Sequence, residues 1–434
     1  MKKTAYILVA VLGLISFGCE SYVEGINDNP NAFTDSPGEL IIGQAGLASI
    51  ILAESQPARI SGIFTDQFTG SNAQFTSLNS YTVTASTFDD IWGNIYTAGL
   101  AQTRLVQEKG AVSGNQSLTG VSQIIEGWIA GETAALFGDV PYLEAVRPNE
   151  FPNPKYDTQA DVLRAVQELL SNGITNVQNG GTPTAMPMYT GDYSWAEVGH
   201  TLKARYYLIA KDYANAAREA ALGISRPSKS LSAFHSATIG QQNLYYQFGV
   251  LQRGGYLTAR NSNLRRLLNG TKARLINTPG DINRETRYFT FDELNYQAGG
   301  YFAIDAPFPL ISWEENQLIR AESLARTGNE TGARNAFNIL RESLAITYGG
   351  SFPASTATGS LLINQILEEK YCTLVGSLQV YHDARRTKNA LRVPVKNNSA
   401  PSIPQRFIYA QDEINTNDSF PGVVDLYTPT PVNQ

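Results

Sequence analysis

Residues 198–224 read VGHTLKARYYLIAKDYANAAREAALGI, and residues 314–340 read EENQLIRAESLARTGNETGARNAFNIL. Each stretch reads as two helices joined by a turn. In the first helix a small residue, Ala204 or Ala321, is followed by a larger one, Tyr207 or Leu324. The turn carries Asp212 in one pair and Gly328-Asn329 in the other. Ala216 or Ala333 then opens the inner face of the second helix. Small residues let two helices cross closely, and large ones fill the space beside the crossing. This is the pattern of tetratricopeptide units, without their usual Trp and Pro. Ordinary antiparallel helix pairs would show the same crossing, and the pattern alone leaves that alternative open. Such pairs bury their faces only by stacking on neighbours, so one stacked domain is expected rather than several.

Helical periodicity recurs on both sides, over 88–109, 118–137, 158–177, 195–211, 213–224, 313–326, 331–347 and 359–387. The fold is therefore expected to be mainly α, a tetratricopeptide-like helix-pair scaffold. Two stretches break the helical series. RISGIFTDQFTGSNAQFTSLNSYTVTAST (59–87) is rich in Gly, Ser, Thr, Asn and aromatics, and reads as a long ordered loop. Residues 228–308 read as a loop-rich insertion with short strands.

MKKTAYILVAVLGLISFGC (1–19) has the layout of a signal peptide, with two lysines and then an apolar run too short to span a bilayer comfortably. Cys19 follows the small Gly18, as in bacterial lipoproteins, where the chain is cut before an acylated cysteine. Ser16 stands where Leu is commoner. The expected organisation is a signal peptide over 1–18, a lipidated tether over 19–38 and one domain over 39–434. Two or three acyl chains hold a domain on a membrane where one chain anchors weakly.

The formal net charge is −6, which argues against nucleic acid and anionic lipid as partners. Charged residues make up 17%, below the usual quarter. With 22 Tyr and 18 Phe, such a surface suits neutral polar ligands. Only two cysteines are present, so there is no disulfide framework, and Cys372 reads as a buried free thiol. No zinc-hydrolase, serine-nucleophile or phosphate-loop signature occurs. The pairs Asp89-Asp90, Glu314-Glu315 and Glu368-Glu369 read as solvated helix faces, and His200 and His382 as satisfied partners within helices. The chain is expected not to be an enzyme and to need no cofactor. No ligand cluster marks a structural calcium.

Five segments carry a family resemblance: YVEGINDNPN (22–31), IWGNIYTAGLAQTRLV (91–106), GETAALFGDVPYLEA (131–145), QLIRAESLARTG (317–328), and the closing ILEEKYCTLVGSLQVYHDARRTK (366–388) with RFIYAQDEINTN (406–417). Together they resemble the SusD/RagB family of nutrient-binding outer-membrane lipoproteins of the Bacteroidetes. Gln102, Gln379 and Ala410 depart from its pattern. The LFGDVPY segment is architectural: Gly138 can cap a helix, Pro141 stops it and Asp139 can accept a backbone bond. The resemblance implies capture of a glycan at the cell surface, or of a peptide in a minority of members. It also implies delivery to a SusC-like TonB-dependent outer-membrane transporter.

A sugar site needs aromatic platforms and a few fixed polar groups. The loop supplies Phe75 and Tyr81 as candidate platforms, with Gln67, Asn72 and Asn79 as hydrogen-bonding groups. Trp92 has two readings, platform or core, because Ile91, Ile95 and Leu100 share its apolar pattern. A protein-binding tetratricopeptide scaffold and a lipid-anchored glycoside hydrolase are the competing functions. The aromatic loop and the insertion favour ligand capture.

Overall fold

The computed structural model describes residues 36–182 and 184–434, so Cys19, the leader and most of the tether lie outside the described residues. Gly38–Gln434 form one compact, mainly helical unit. Its helices are α1 (Gly38–Glu54), α2 (Gln56–Phe64), α3 (Gln74–Asn79), α4 (Asp89–Gly93), α5 (Ala101–Ser113), α6 (Gln116–Phe137), α7 (Gln159–Asn179), α8 (Trp195–Ile209) and α9 (Tyr213–Ala220). Within the insertion lie α10 (Asn263–Leu268) and α11 (Asp281–Tyr288), and after it come α12 (Trp313–Arg326), α13 (Glu330–Tyr348), α14 (Gly359–Thr373), α15 (Leu378–Arg386) and α16 (Gln411–Thr416). A π-helical segment, Asn94–Leu100, joins α4 to α5.

The helix pairs pack as the sequence predicts. Ala204 and Leu208 of α8, Ala216 and Ala220 of α9 and Ile319 of α12 form one small core, with Tyr207 and Tyr213 packed against it. Both turns end in the same kind of cap. The Asp212 side chain accepts from the Asn215 amide, and the Asn329 side chain from the Gly332 amide. Helix α6 is buried along nearly its whole length. A Cβ at Gly131 would lie 2.3 Å from the Tyr206 ring, so glycine there lets α6 and α8 approach. Gly138 ends α6 with φ +90, and Asp139 accepts a 2.8 Å bond from the Gln159 amide at the start of α7.

Strands are short. β1 (Thr69–Gly70) pairs with β6 (Leu257–Thr258), β2 (Val140–Pro141) with β3 (Tyr156–Asp157), and β7 (Phe289–Thr290) with β8 (Glu293–Leu294). β5 (Leu231–Ala233) lies between β4 (Tyr189–Thr190) and β9 (Phe308–Ile311). All pairings are antiparallel. The β1–β6 ladder attaches the early loop to the insertion.

Two expectations need correction. The 359–387 helix is interrupted between α14 and α15, where Gly376 takes φ +72. The acidic pairs in α12 and α14 are not solvated faces: Glu315, Glu368 and Glu369 are buried. Glu315 binds Arg205 through two bonds of 2.6 and 2.7 Å. Glu369 joins Arg274, Arg284 and Arg341. Cys372 is free and buried, and burial pushes its thiol up to about 12.

Glu132 of α6 is the junction. It is fully buried, takes Arg205 of α8 at 2.9 Å, and accepts Gln379 at 2.8 Å and His382 at 2.7 Å from α15. Arg385 can only donate, so its 2.6 Å contact makes His382 Nδ1 an acceptor and leaves the proton on Nε2, facing Glu132. Burial lowers the His382 pKa. Burial opposes the Glu132 charge, but the His382 and Arg205 partners outweigh it and hold the carboxyl at about 2.

Removing one partner of a buried pair costs roughly 3–5 kcal/mol, so Glu132→Gln should lower the urea midpoint correspondingly at pH 7. The folded pKa lies below the ordinary 4.5, so the stabilisation is complete above that value and is lost as pH falls towards about 2. Glu132→Gln should lack that part of the acid slope. An unchanged midpoint and slope would show that the junction contributes nothing.

Candidate functional site

The 59–87 stretch is less of a loop than its composition suggests. It contains the end of α2, β1, all of α3, and a 3-10 turn over Ala85–Phe88. Thr84 and Thr87 cap that turn reciprocally. Tyr81 has φ 61, a conformation that persists only when its surroundings fix it. They do so here: the Tyr81 hydroxyl accepts from the Lys396 amide at 3.0 Å, and its ring meets Phe64 edge-on at 5.7 Å. The Lys396 ammonium then binds Asp66 at 3.1 Å, the Phe68 carbonyl at 2.7 Å and Asn79 at 2.9 Å.

Most of the sequence-derived site residues therefore hold the loop in place. Tyr81 is 5% exposed and Trp92 is 7% exposed. Trp92 packs on Phe137 and Tyr96 with centroids 5.1 and 4.8 Å away, so of its two readings the core one is correct. Gln67 is fully buried and bonds the Tyr371 carbonyl and the Gly376 amide. Asn79 accepts from the Gly70 amide and from Lys396. Asn72 is exposed and accepts from the Ala73 amide. None of these five lines the groove beside α2 and α3.

Phe75 does line it. Between α2, α3, the 82–87 segment, the start of α4 and the π-helical segment Gln247–Gln252 runs a groove of about 510 Å³. That volume is in the range of small-molecule sites. Its polar lining is Gln56, Gln74, Ser77, Thr82, Thr84, Ser86 and Thr87, with Asp90 exposed at one end. Its apolar base is Phe75, Leu78 and Phe248. Phe75 and Phe248 face each other at 4.9 Å, and each is under a tenth exposed. The rings are thus not bare platforms. Arg59 covers Phe248, with its guanidinium carbon 4.2 Å from the ring centroid. Desolvation by burial lowers the Arg59 pKa to about 10.

Sequence reasoning missed Arg59, Phe248 and the row of hydroxyls. A signal was present: Arg59 and Asp66 are the only charges between residues 59 and 87, and Asp66 is consumed by Lys396. Phe248 lies in the insertion and has no local signal.

A second concavity, about 460 Å³, is lined by Tyr301, Ser312, Glu314, Glu315 and Tyr348 among others. Burial raises the Glu314 carboxyl, while Glu315 is held by Arg205. Glycoside hydrolysis needs two working carboxylates across the scissile bond. The groove offers one, Asp90, and the second concavity leaves only Glu314 free of an arginine. Among the described residues no group of three or more His, Cys, Asp or Glu could hold a metal, and no helix is long and apolar enough to cross a membrane.

Residues 38–237 match the family model SusD-like_2, described as "Starch-binding associating with outer membrane". That part of the chain is similar to the SusD-like family. Solved structures agree. A chitin-binding SusD homolog from Flavobacterium johnsoniae superposes with a TM-score of 0.72 at 15% identity, over 92% of this chain and 99% of that one. A SusD homolog from Bacteroides uniformis gives 0.71 at 17%, over 92% and 100%. A SusD/RagB family protein from Bacteroides thetaiotaomicron gives 0.63 at 18%, over 89% and 95%. These likenesses establish a SusD-like fold. No curated protein matches the chain.

If Trp92 is core, Trp92→Ala should cost roughly 3–5 kcal/mol in chemical unfolding. A loss below about 1 kcal/mol would contradict its place in the Phe137–Tyr409 cluster.

Proposed function

We propose that this protein captures a glycan at the cell surface and passes it to a SusC-like TonB-dependent transporter. The carrying observation is the groove. It combines neutral amides and hydroxyls with an aromatic base on a rigid scaffold, and it contains no paired carboxylates. Among the described residues the side chains of Gln74 and Ser77 have no hydrogen-bond partner, and both residues are exposed, so they are available to sugar hydroxyls. Sugars present many hydroxyls and small apolar faces, which such a lining matches. The family description and the chitin-binding likeness support the same ligand class. Binding without turnover is the role proposed.

Gln74→Ala combined with Ser77→Ala should weaken binding of a cognate oligosaccharide at least tenfold in calorimetry, about 1.4 kcal/mol, with an unchanged melting temperature. Wild-type affinity in the double variant would remove the groove from the account.

Acylated Cys19 is the proposed anchor, and the transporter the proposed partner. An acidic body is not drawn to anionic lipid, so the lipid chains and the barrel must keep it at the membrane. In mild detergent the protein should co-purify with a large β-barrel in equal amount, and a Cys19→Ala chain should leave the membrane fraction. Purification alone, or a Cys19→Ala chain that remains membrane-bound, would contradict these assignments.

A further inference from the structure

The scaffold matches its buried cations with acceptors. Arg205 has Glu132 and Glu315, Arg284 has Asp281 and Glu369, and Arg386 has Glu322 and Asp383. Even Arg385, which lacks a carboxylate, donates to the Ala135 and Gln405 carbonyls. Arg59 does not follow this pattern. Its Nε is buried with no hydrogen-bond partner, and among the described residues it has no ion pair. The buried carboxylate whose charge acts on Arg59, Glu54, is engaged by His235 Nε2 at 2.9 Å and by the Leu244 amide at 2.9 Å. A neighbouring phenol, Tyr296, is also buried without a partner at its hydroxyl.

A half-buried guanidinium over an aromatic ring, with no acceptor among the described residues, is pre-organised for an anion at its terminal nitrogens. The tilted Phe75–Phe248 pair supports it from below, and the groove opens beside it. The other charge in the lining, Asp90, is exposed at the start of α4. A planar carboxylate fits a guanidinium fork with two parallel hydrogen bonds.

We infer that the groove selects acidic glycans, with Arg59 receiving the carboxylate of a uronic acid while the hydroxyl-rich wall binds the sugar ring. This rests on the glycan-capture reading of the same groove and adds the charge of its ligand. A sulfate ester would present the same anionic chemistry to Arg59, and the sulfated arm of the test distinguishes the two.

The test uses matched pairs: oligogalacturonate, oligomannuronate and oligoglucuronate, each beside its carboxyl-reduced neutral form, with a sulfated galactan as a further arm. At least one uronate should bind tenfold or more above its reduced partner in calorimetry, and that preference should shrink as salt rises. Arg59→Gln should bring the acidic-to-neutral ratio to about one. Arg59→Lys, which keeps the charge without the fork, should retain part of it, and melting temperatures check that both variants fold. If Arg59→Gln fails to fold, the salt response and Arg59→Lys decide. A reduced glycan that binds as well as its uronate, or a preference that survives Arg59→Gln, overturns the inference and leaves glycan capture standing. A sulfated galactan preferred over every uronate overturns the carboxylate assignment. If some glycan binds but the Gln74 and Ser77 substitutions do not affect it, the groove itself is wrong and the capture reading fails at this site.

Discussion

The buried carboxylate of Glu132 is the constraint on which the rest of the structure depends. One side chain on α6 meets an arginine on α8, which in turn grips Glu315 of α12, and it takes Gln379 and His382 from α15. Helices distant in sequence are thereby fixed to a single point. A charge taken out of water is tolerable only when its partners are all in place. The network therefore selects one arrangement of the helices and penalises the alternatives. Glu322 repeats the device with Arg386, Lys370 and Arg326, and its carboxyl is held at about 2 because those charges outweigh burial. Glu369 repeats it with three arginines.

These anchors reach the groove through a short chain of contacts. Tyr371, on the same helix as Glu369, donates to the Thr65 and Asp66 carbonyls just after α2. Gln67 ties the same turn back to Gly376. Helix α2 carries Arg59, so its cation is set by the interior rather than by a mobile loop. The opposite wall is fixed by Lys396, which pins Asn79 and the Phe68 carbonyl. A ligand would meet a surface whose ordering cost was met when the chain folded.

The helix pairs were legible because their small residues recur at the crossing points, and Ala204, Ala216 and Ala321 are all fully buried. The LFGDVPY turn was legible for a similar reason: Gly138 and Pro141 act locally. The buried ion network was not. Glu132, Glu315 and Glu369 look like surface residues in a sequence, and only tertiary partners reveal their burial. The same problem affected the site. Tyr81, Trp92 and Gln67 have the composition of a sugar platform, yet Tyr81 and Gln67 fasten the early loop to the interior and Trp92 turns into the core from α4. Phe75 lines the groove, but as support beneath a cation rather than as an open ring. Phe248 comes from a segment far along the chain, and no periodicity links it to Arg59.

The central claim is that ligand capture occurs at the groove built by α2, α3, the 82–87 segment and the Gln247–Gln252 segment. Hydrogen–deuterium exchange of the full chain, with and without a bound oligosaccharide, tests this most directly. The account predicts slowed exchange confined to residues 74–90 and 247–252, with the α6–α8–α15 junction unchanged because it is already closed. Protection centred instead on the cavity beside Tyr301 and Tyr348, with the groove unaffected, would contradict it.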